Sequence, residues 1–239
     1  MCDEKAGVMM LIDRVVADYF ETNCWIIAAE PGQECVIVDP GIGNPDLVSQ
    51  INLKVNQYKL KPVAVLITHG HLDHFFSVLP LTKSTPMRTY ISKEDRFLLE
   101  NPFGALKSGG ESEQLLRAFG ITKFKEPSEI IELQDFSAFE LAGLNFESIF
   151  APGHTKGSVV FTVNNEQLIS GDVLFAGSIG RTDLPTGSAV DMKRTLKERI
   201  LTLSDELNVL PGHGEQTTIG IERVRNPYLQ GDFLDQIGR

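Results

Sequence analysis

Thr68-His69-Gly70-His71-Leu72-Asp73-His74 places four side chains that bind metal ions well within six residues of sequence. The stretch follows an apolar, strand-like run at residues 63–67 and precedes a helix-like run at residues 75–79. A turn at the end of a buried strand directs several side chains to one point. His69 and His71 are two residues apart, so an extended backbone would place them on one face. Asp73 and His74 can then point to a second ion beside the first.

The two remaining histidines stand in contexts that match each other. Of five histidines in the chain, these two lie in Pro152-Gly153-His154-Thr155 and Pro211-Gly212-His213-Gly214. Each follows an apolar run typical of a strand. A single histidine usually has another role, because neutral imidazole serves many purposes. Five histidines that all stand at predicted strand ends instead indicate a cluster of metal ligands.

Taken in order, these motifs and Ser170-Gly171-Asp172 resemble the metallo-β-lactamase superfamily. The resemblance extends from about Asn23 to about Pro227, and within the superfamily the chain is similar to the glyoxalase II (hydroxyacylglutathione hydrolase) group. Familiar glyoxalase II enzymes carry a helical C-terminal domain that helps to hold glutathione, and the 26 residues after His213 are too few for it. The resemblance is therefore to a compact form, with one metallo-β-lactamase-like domain over residues 1–239. It implies an α/β fold, namely an αββα four-layer sandwich of two mixed β-sheets with helices outside.

The resemblance also implies a set of metal ligands. The ligands of the first ion would be His69, His71 and His154, those of the second Asp73, His74 and His213, and Asp172 would bridge both. We expect Asp73 and Asp172 to be the carboxylates that take part in catalysis. Two divalent ions are expected, with zinc as the leading choice and iron or manganese as alternatives. Nitrogen and oxygen ligands without a thiolate suit all of these metals.

Three further residues each have two interpretations. Asp39 ends a strand-like run, and in the resembling family this aspartate lies beneath the metal site, where it would accept a hydrogen bond from a metal-bound histidine; alternatively it is a turn residue. Asp73 has a second interpretation as the N-cap of the helix-like run after it. Arg181 lies in a segment similar to a substrate-bordering loop, so it is a candidate for binding a substrate carboxylate. It is otherwise a structural arginine paired with Asp183.

The implied reaction is hydrolysis of a hydroxyacyl thioester of a small thiol. Two divalent ions lower the pKa of a shared water and polarise a bound carbonyl, so no serine or cysteine nucleophile is needed. The main alternative is a persulfide dioxygenase, because that family shows the same motif order. Its single iron would be held by His69, His154 and Asp172, a two-histidine, one-carboxylate site.

Composition limits the partners and the location. The 239 residues carry a formal net charge of −10, which argues against nucleic acids and anionic membranes, because both attract basic surfaces. We therefore expect a small-molecule thioester as partner and make no prediction of oligomeric state. The N-terminus lacks a signal pattern and no apolar run approaches about 20 residues, so the sequence predicts a cytoplasmic protein. Cys2, Cys24 and Cys35 lack metal-binding spacing and are predicted to pack as small apolar residues.

The remaining pattern predicts alternating strands and helices. Short strands are expected at residues 9–18, 23–29, 35–39, 87–91, 130–133, 138–141, 144–150, 158–163, 167–170 and 206–210. A helix with Asn44 as its cap and Pro45 in its first turn should precede the strand at 63–67. Further helices are predicted after Ser92, weakly at 114–119, at 189–203 and at 220–223.

Overall fold

The computed structural model describes residues 10–106, 110, 113, 114 and 124–231. Two six-stranded sheets dominate this part of the chain. The first has the order β1 (Leu11–Val16), β2 (Asn23–Ala28), β3 (Glu34–Val38), β4 (Lys61–Leu66), β5 (Arg88–Ser92) and β6 (Ile130–Leu133). The second has the order β14 (Thr217–Thr218), β13 (Asn208–Pro211), β10 (Gln167–Gly171), β9 (Val159–Val163), β8 (Leu144–Phe150) and β7 (Ser137–Leu141).

Both sheets are mixed, as the family resemblance implied. In the first, β1, β2 and β3 pair antiparallel and β3 to β6 pair parallel. In the second, β10 and β13 are parallel neighbours, whereas the other pairs are antiparallel. A two-stranded hairpin of β11 (Leu174–Phe175) and β12 (Ser178–Ile179) lies beside the second sheet and was not predicted.

Three apolar layers hold the sheets and helices together. In β2, Ile26 faces the helices that cover the first sheet, while Trp25 and Ile27 face the second sheet. Ile169 of β10 meets them from the other side, and its neighbour Leu168 faces the helix that covers the second sheet. Strands buried on both faces are continuous apolar runs rather than alternating ones. The predicted αββα sandwich is thereby confirmed.

The helices cover the outer faces of the sheets. They are α1 (Leu47–Gln57), α2 (Leu72–Phe75), α3 (Val78–Ser84), α4 (Lys93–Arg96), α5 (Ala189–Thr195) and α6 (Ile219–Arg225). Shorter 3₁₀ turns lie at Phe97–Leu99, Pro102–Ala105 and Pro227–Leu229, and a π-helical turn at Leu196–Ile200 extends α5. The predicted helix at 114–119 lies outside the described residues except for Gln114.

Two predicted helix boundaries were wrong. Asp46, not Asn44, is the N-cap of α1, because its Oδ1 accepts a hydrogen bond from the backbone N–H of Ser49 at 2.6 Å. The Asn44 N–H instead donates to Asp18. The helical run predicted at residues 75–79 is interrupted between α2 and α3, since the Ser77 N–H donates to the carbonyl of Pro40 and its hydroxyl to the carbonyl of Gly41.

The strand directions bring the predicted site residues to one edge. Parallel strands have their carboxyl ends on the same edge of a sheet, and ligands of α/β folds bind there. In the first sheet, Asp39 follows β3 and His69 follows β4. In the second, Asp172 follows β10 and His213 follows the parallel strand β13. The loop after β8 carries His154 to the same edge.

Two predictions about composition can be compared with the described residues. Cys24 and Cys35 are free and buried, as predicted, whereas Cys2 lies outside the described ranges. No helix among the described residues has the length and apolar character to cross a membrane.

Candidate metal centre

The seven predicted ligands lie together in one cluster at the shared edge of the sheets. Their ligand atoms form three overlapping groups, and within each group these atoms lie within 4.8 Å of one another. The groups are His69, His71 and His154; His69, His74 and Asp172; and Asp73, His74 and His213. The first and third groups are the two predicted ligand sets, and the second group contains Asp172 with one histidine from each set. Its Oδ2 is 3.4 Å from Nε2 of His154 and 3.5 Å from Nε2 of His213.

Asp39 and Thr68 fix the rings of two histidines from outside the cluster. Asp39 Oδ2 accepts hydrogen bonds from Nδ1 of His74 at 3.0 Å and from the Thr68 hydroxyl at 2.7 Å. Because the Thr68 hydroxyl proton is directed to Asp39, its oxygen accepts from Nδ1 of His69 at 3.1 Å. We assign the tautomers from this network. In their neutral forms both rings then present a bare Nε2 to the cluster, the form in which imidazole binds metal.

Backbone carbonyls fix two further rings in the same way. Nδ1 of His154 donates to the carbonyl of Arg181 at 2.8 Å, and Nδ1 of His213 donates to the carbonyl of Phe20, also at 2.8 Å. Each of these contacts places the ring proton on Nδ1 and leaves Nε2 available. Arg181 therefore contributes to the cluster through its backbone, a role that the sequence did not predict.

His71 is oriented differently from the other histidines. Its Nδ1 faces the cluster, 2.7 Å from Nε2 of His154 and 3.1 Å from Nε2 of His69. Its Nε2 is buried and has no hydrogen-bond partner among residues 10–106 and 124–231, and the same is true of Oδ1 of Asp172. The lone pairs of three ring nitrogens converge here, and one proton on His71 cannot be directed to both neighbours. A cation at the point of convergence satisfies them, so the residues fit a metal ion.

The pKa values of the histidines shift in opposite directions in the two halves of the cluster, one with His69 and His71 and the other with His74. Burial lowers the pKa of His69 well below its ordinary value, and burial, aided by His154, lowers the pKa of His71 to about 3. These rings are neutral, as metal ligands must be. Burial also lowers the pKa of His74, but the carboxylates of Asp172, Asp73 and Asp39 outweigh it and raise that pKa to about 9. The carboxylates thus favour positive charge at this half of the cluster.

Asp73 does not act as the N-cap that the sequence allowed. Helix α2 begins at Leu72 with His71 in the cap position, so Asp73 lies inside the first turn. Its Oδ2 is directed into the cluster, 3.4 Å from Nε2 of His213 and 3.5 Å from Nε2 of His74. Of the two interpretations of Asp73, the geometry excludes the N-cap and agrees with a place in the cluster.

A cleft of about 260 Å³ opens onto the cluster. The lining side chains outside the cluster are Phe20, Leu72, Leu106, Arg181 and Leu184. The Arg181 guanidinium pairs with Asp183 through two hydrogen bonds of 2.7 and 2.9 Å, and its side chain is 58% exposed. The structure thus shows the predicted pairing of Arg181 with Asp183 and places Arg181 in the lining of the cleft, while its binding of a substrate carboxylate stays a prediction. The apolar wall residues were missed, because single hydrophobic residues in loops carry no distinguishing sequence signal.

The packed sheets and the histidine–aspartate cluster at their edge assign this chain to the class of metallo-hydrolases. A family model described as the metallo-β-lactamase superfamily matches residues 17–213. The chain belongs to the metallo-β-lactamase superfamily.

The chain is similar over most of its length to three further proteins. An uncharacterized protein of Mycobacterium tuberculosis is 41% identical over 230 residues, covering 93% of this chain and 99% of that protein. Hydroxyacylglutathione hydrolase GloC of Haemophilus influenzae is 33% identical over 224 residues, covering 92% of this chain and 98% of that protein. The solved structure of TTHA1623 in a di-iron-bound form is 32% identical with a TM-score of 0.74, covering 91% of this chain and all of that one.

Proposed function

We propose that this protein is a two-metal hydrolase that cleaves a hydroxyacyl thioester of a small thiol, in the manner of glyoxalase II. The observation that carries the proposal is the presence of two ligand groups that meet at Asp172. Support for the substrate class comes from the similarity to a hydroxyacylglutathione hydrolase over nearly the full length of both chains. We further propose that its partner is a small-molecule thioester and that it acts in the cytoplasm.

The proposed ligands follow the two groups. His69, His71 and His154 would hold one divalent ion, Asp73, His74 and His213 the other, and Asp172 would bridge them. Bound there, two divalent ions supply an activated water and polarise the acyl carbonyl. Zinc is the leading expectation, while iron and manganese suit the same nitrogen and oxygen donors. The di-iron form of a similar protein makes iron a concrete alternative.

The remaining residues of the cleft bind and shield the substrate. The side chains of Phe20, Leu72 and Leu184 exclude water from the walls of the cleft. Thiols have pKa values of about 8.5, so the thiolate formed by thioester cleavage departs without a proton donor. A cleft with apolar walls and one paired arginine therefore suits a thioester better than an amide, whose leaving amine requires protonation.

A mononuclear persulfide dioxygenase remains the alternative function. That site would use His69, His154 and Asp172 only. It gives no reason for Asp73, His74 and His213 to converge with Nε2 of His74 and His213 3.2 Å apart. It also gives no reason for the tether of His213 to the Phe20 carbonyl. A second ion would give this group a role, but the dioxygenase family shows the same motif order, so metal content and substrate decide between the two functions.

The first experiment measures metal content and activity on the same preparation. We expect elemental analysis of protein purified without chelator or affinity metal to give about two ions per chain. We expect the same sample to cleave hydroxyacyl thioesters of glutathione or another small thiol, with free thiol as the readout. A chelated and dialysed sample is the control, and activity should return with added zinc. One iron per chain, with oxygen consumed on addition of a persulfide, would establish the dioxygenase instead.

Arg181→Ala is expected to raise KM about tenfold for substrates that carry a carboxylate, with little change in kcat. The guanidinium is exposed, so the loss corresponds to about 1.4 kcal/mol, the low end for a charge-assisted hydrogen bond. The His154 tether survives, because it uses the backbone carbonyl of Arg181. Steady-state kinetics measure both constants, and Asp183→Asn is the matched control that keeps the guanidinium. An unchanged KM in Arg181→Ala would make the arginine a structural partner of Asp183 only.

A further inference from the structure

We propose that Asp95 is a positioning residue that fixes the spacing of the two loops carrying His69, His71 and His154. The inference rests on the proposed function, since it assumes that these three histidines hold an ion. Asp95 is fully buried in α4 and has no place in the ligand set. From the sequence, Asp95 was predicted only to lie within a helix that begins after Ser92.

The carboxylate of Asp95 joins both loops directly. Its Oδ2 accepts hydrogen bonds from the backbone N–H of Gly70 at 2.8 Å and from the hydroxyl of Thr155 at 2.6 Å. Its Oδ1 accepts from the backbone N–H of Gly157 at 2.8 Å. Gly70 separates His69 from His71, and Thr155 follows His154. One carboxylate therefore holds the backbone on both sides of the first ligand group.

The two loops belong to different sheets. The loop with Gly70 follows β4 of the first sheet, and the loop with Thr155 and Gly157 follows β8 of the second. The nitrogens that converge across this junction are Nδ1 of His71 and Nε2 of His154, 2.7 Å apart. Small movements of one loop against the other would change this separation directly. Asp95 spans the junction where the geometry of the ligand group is set.

Close approach of the backbone at Gly157 allows this contact. A Cβ atom at Gly157 would overlap the hydroxyl of Ser92 and the carboxyl group of Asp95. The Ser92 hydroxyl also accepts from the Asp95 N–H as the N-cap of α4. Cap, carboxylate and glycine therefore form one packed unit, which places the start of α4 against the His154 loop.

The position requires a carboxylate rather than an amide. Both oxygens of Asp95 face backbone N–H donors, so the amide nitrogen of an asparagine would meet a donor whichever way it turned. A buried carboxylate without an ion-pair partner costs several kcal/mol unless it is hydrogen-bonded. Among the described residues no salt bridge to Asp95 is formed, so its three hydrogen bonds carry that compensation. Such an arrangement defines one geometry for the two loops.

Asp95→Asn is expected to weaken one of two metal-binding steps about 10- to 100-fold, the range for residues that orient metal ligands. The experiment titrates metal-stripped protein with Co²⁺ and follows the ligand-field absorption, which should also change in shape for the affected step. Asp13→Asn is the matched control. Asp13 also accepts three hydrogen bonds, from the Arg14 N–H, Lys54 and Tyr58, and none of these donors belongs to a ligand-bearing loop.

The outcomes separate this inference from the proposed function. If the wild-type chain binds fewer than two Co²⁺ ions, the two-metal proposal fails. If the wild type binds two and Asp95→Asn binds both with unchanged affinity and spectrum, only the role of Asp95 is overturned. Should Asp95→Asn not fold, Thr155→Val removes one of the three hydrogen bonds to Asp95, together with the bond between the Thr155 and Ser158 hydroxyls, and is expected to weaken the same step by less. Wild-type binding by Thr155→Val would then contradict the inference.

Discussion

Replacing His71 with alanine is expected to lower thioester hydrolysis by about 10³-fold or more while the protein stays folded. The substitution removes Nδ1, the nitrogen that completes the first ligand group with His69 and His154. A bound divalent ion supplies several kcal/mol of transition-state stabilisation, and about 4 kcal/mol corresponds to about 10³-fold in rate. The loss should appear in kcat/KM and in the metal content of the purified variant.

The fold is expected to survive because the His71 side chain forms no hydrogen bond outside the cluster with any residue that the structure describes. Its Nε2 is unpartnered, whereas the outer nitrogens of the other four histidines are tethered to Thr68, Asp39, Arg181 and Phe20. Circular dichroism of the variant should therefore match that of the wild type. Ser148→Ala is a control, since it removes a buried hydroxyl that bonds to the carbonyl of Gln134, away from the ligand loops. Full activity of His71→Ala at low metal would contradict the two-ion account.

Strands buried on both faces explain why much of the fold was predictable. Runs such as residues 24–28 and 63–67 are continuously apolar, and each was predicted as a strand from composition and length alone. The assembly of these strands into two sheets came from the resemblance, because a local pattern does not specify which strands pair. The two-residue strands β11, β12 and β14 were missed, since strands this short have no periodicity, whereas β13 was predicted within residues 206–210.

Helix ends were less predictable because tertiary hydrogen bonds decide them. Asn44 and Asp46 are both good cap residues, and the choice depends on Asp18, which accepts the Asn44 N–H from a distant part of the chain. The break before α3 depends likewise on the Pro40 carbonyl, which accepts the N–H of Ser77. Neither contact can be inferred from the residues adjacent to the helix.

The clustering of the seven candidate ligands was predictable from the sequence, whereas the groups that support them were not. Each ligand follows a strand within a short motif, and the structure brings all seven together. The supports of His154 and His213 are backbone carbonyls, which every residue has and which therefore leave no trace in the sequence. Asp95 was overlooked for a related reason: its partners are the backbone N–H groups of Gly70 and Gly157 and one threonine hydroxyl.

Asp73→Ala is expected to reduce the metal content from about two ions to about one and thioester hydrolysis by about 10³-fold. Its Oδ2 lies 3.4 Å from Nε2 of His213 and 3.5 Å from Nε2 of His74. Without this carboxylate, the second group keeps only the two histidines and the shared Asp172. The negative charge that raises the pKa of His74 is also reduced, so the site attracts a dication less strongly. Loss of one of two ions removes several kcal/mol of transition-state stabilisation.

The same variant separates the hydrolase from the dioxygenase. A single iron held by His69, His154 and Asp172 does not use Asp73, so a dioxygenase would keep its metal and its oxygen consumption in Asp73→Ala. Asp205→Ala is the matched control, because the exposed Asp205 pairs with Arg223 and is not a member of any ligand group. Metal content, thiol release and persulfide-dependent oxygen uptake should be measured on all three proteins. Unchanged metal content and activity in Asp73→Ala would remove Asp73 from the ligand set and contradict the second ligand group as proposed.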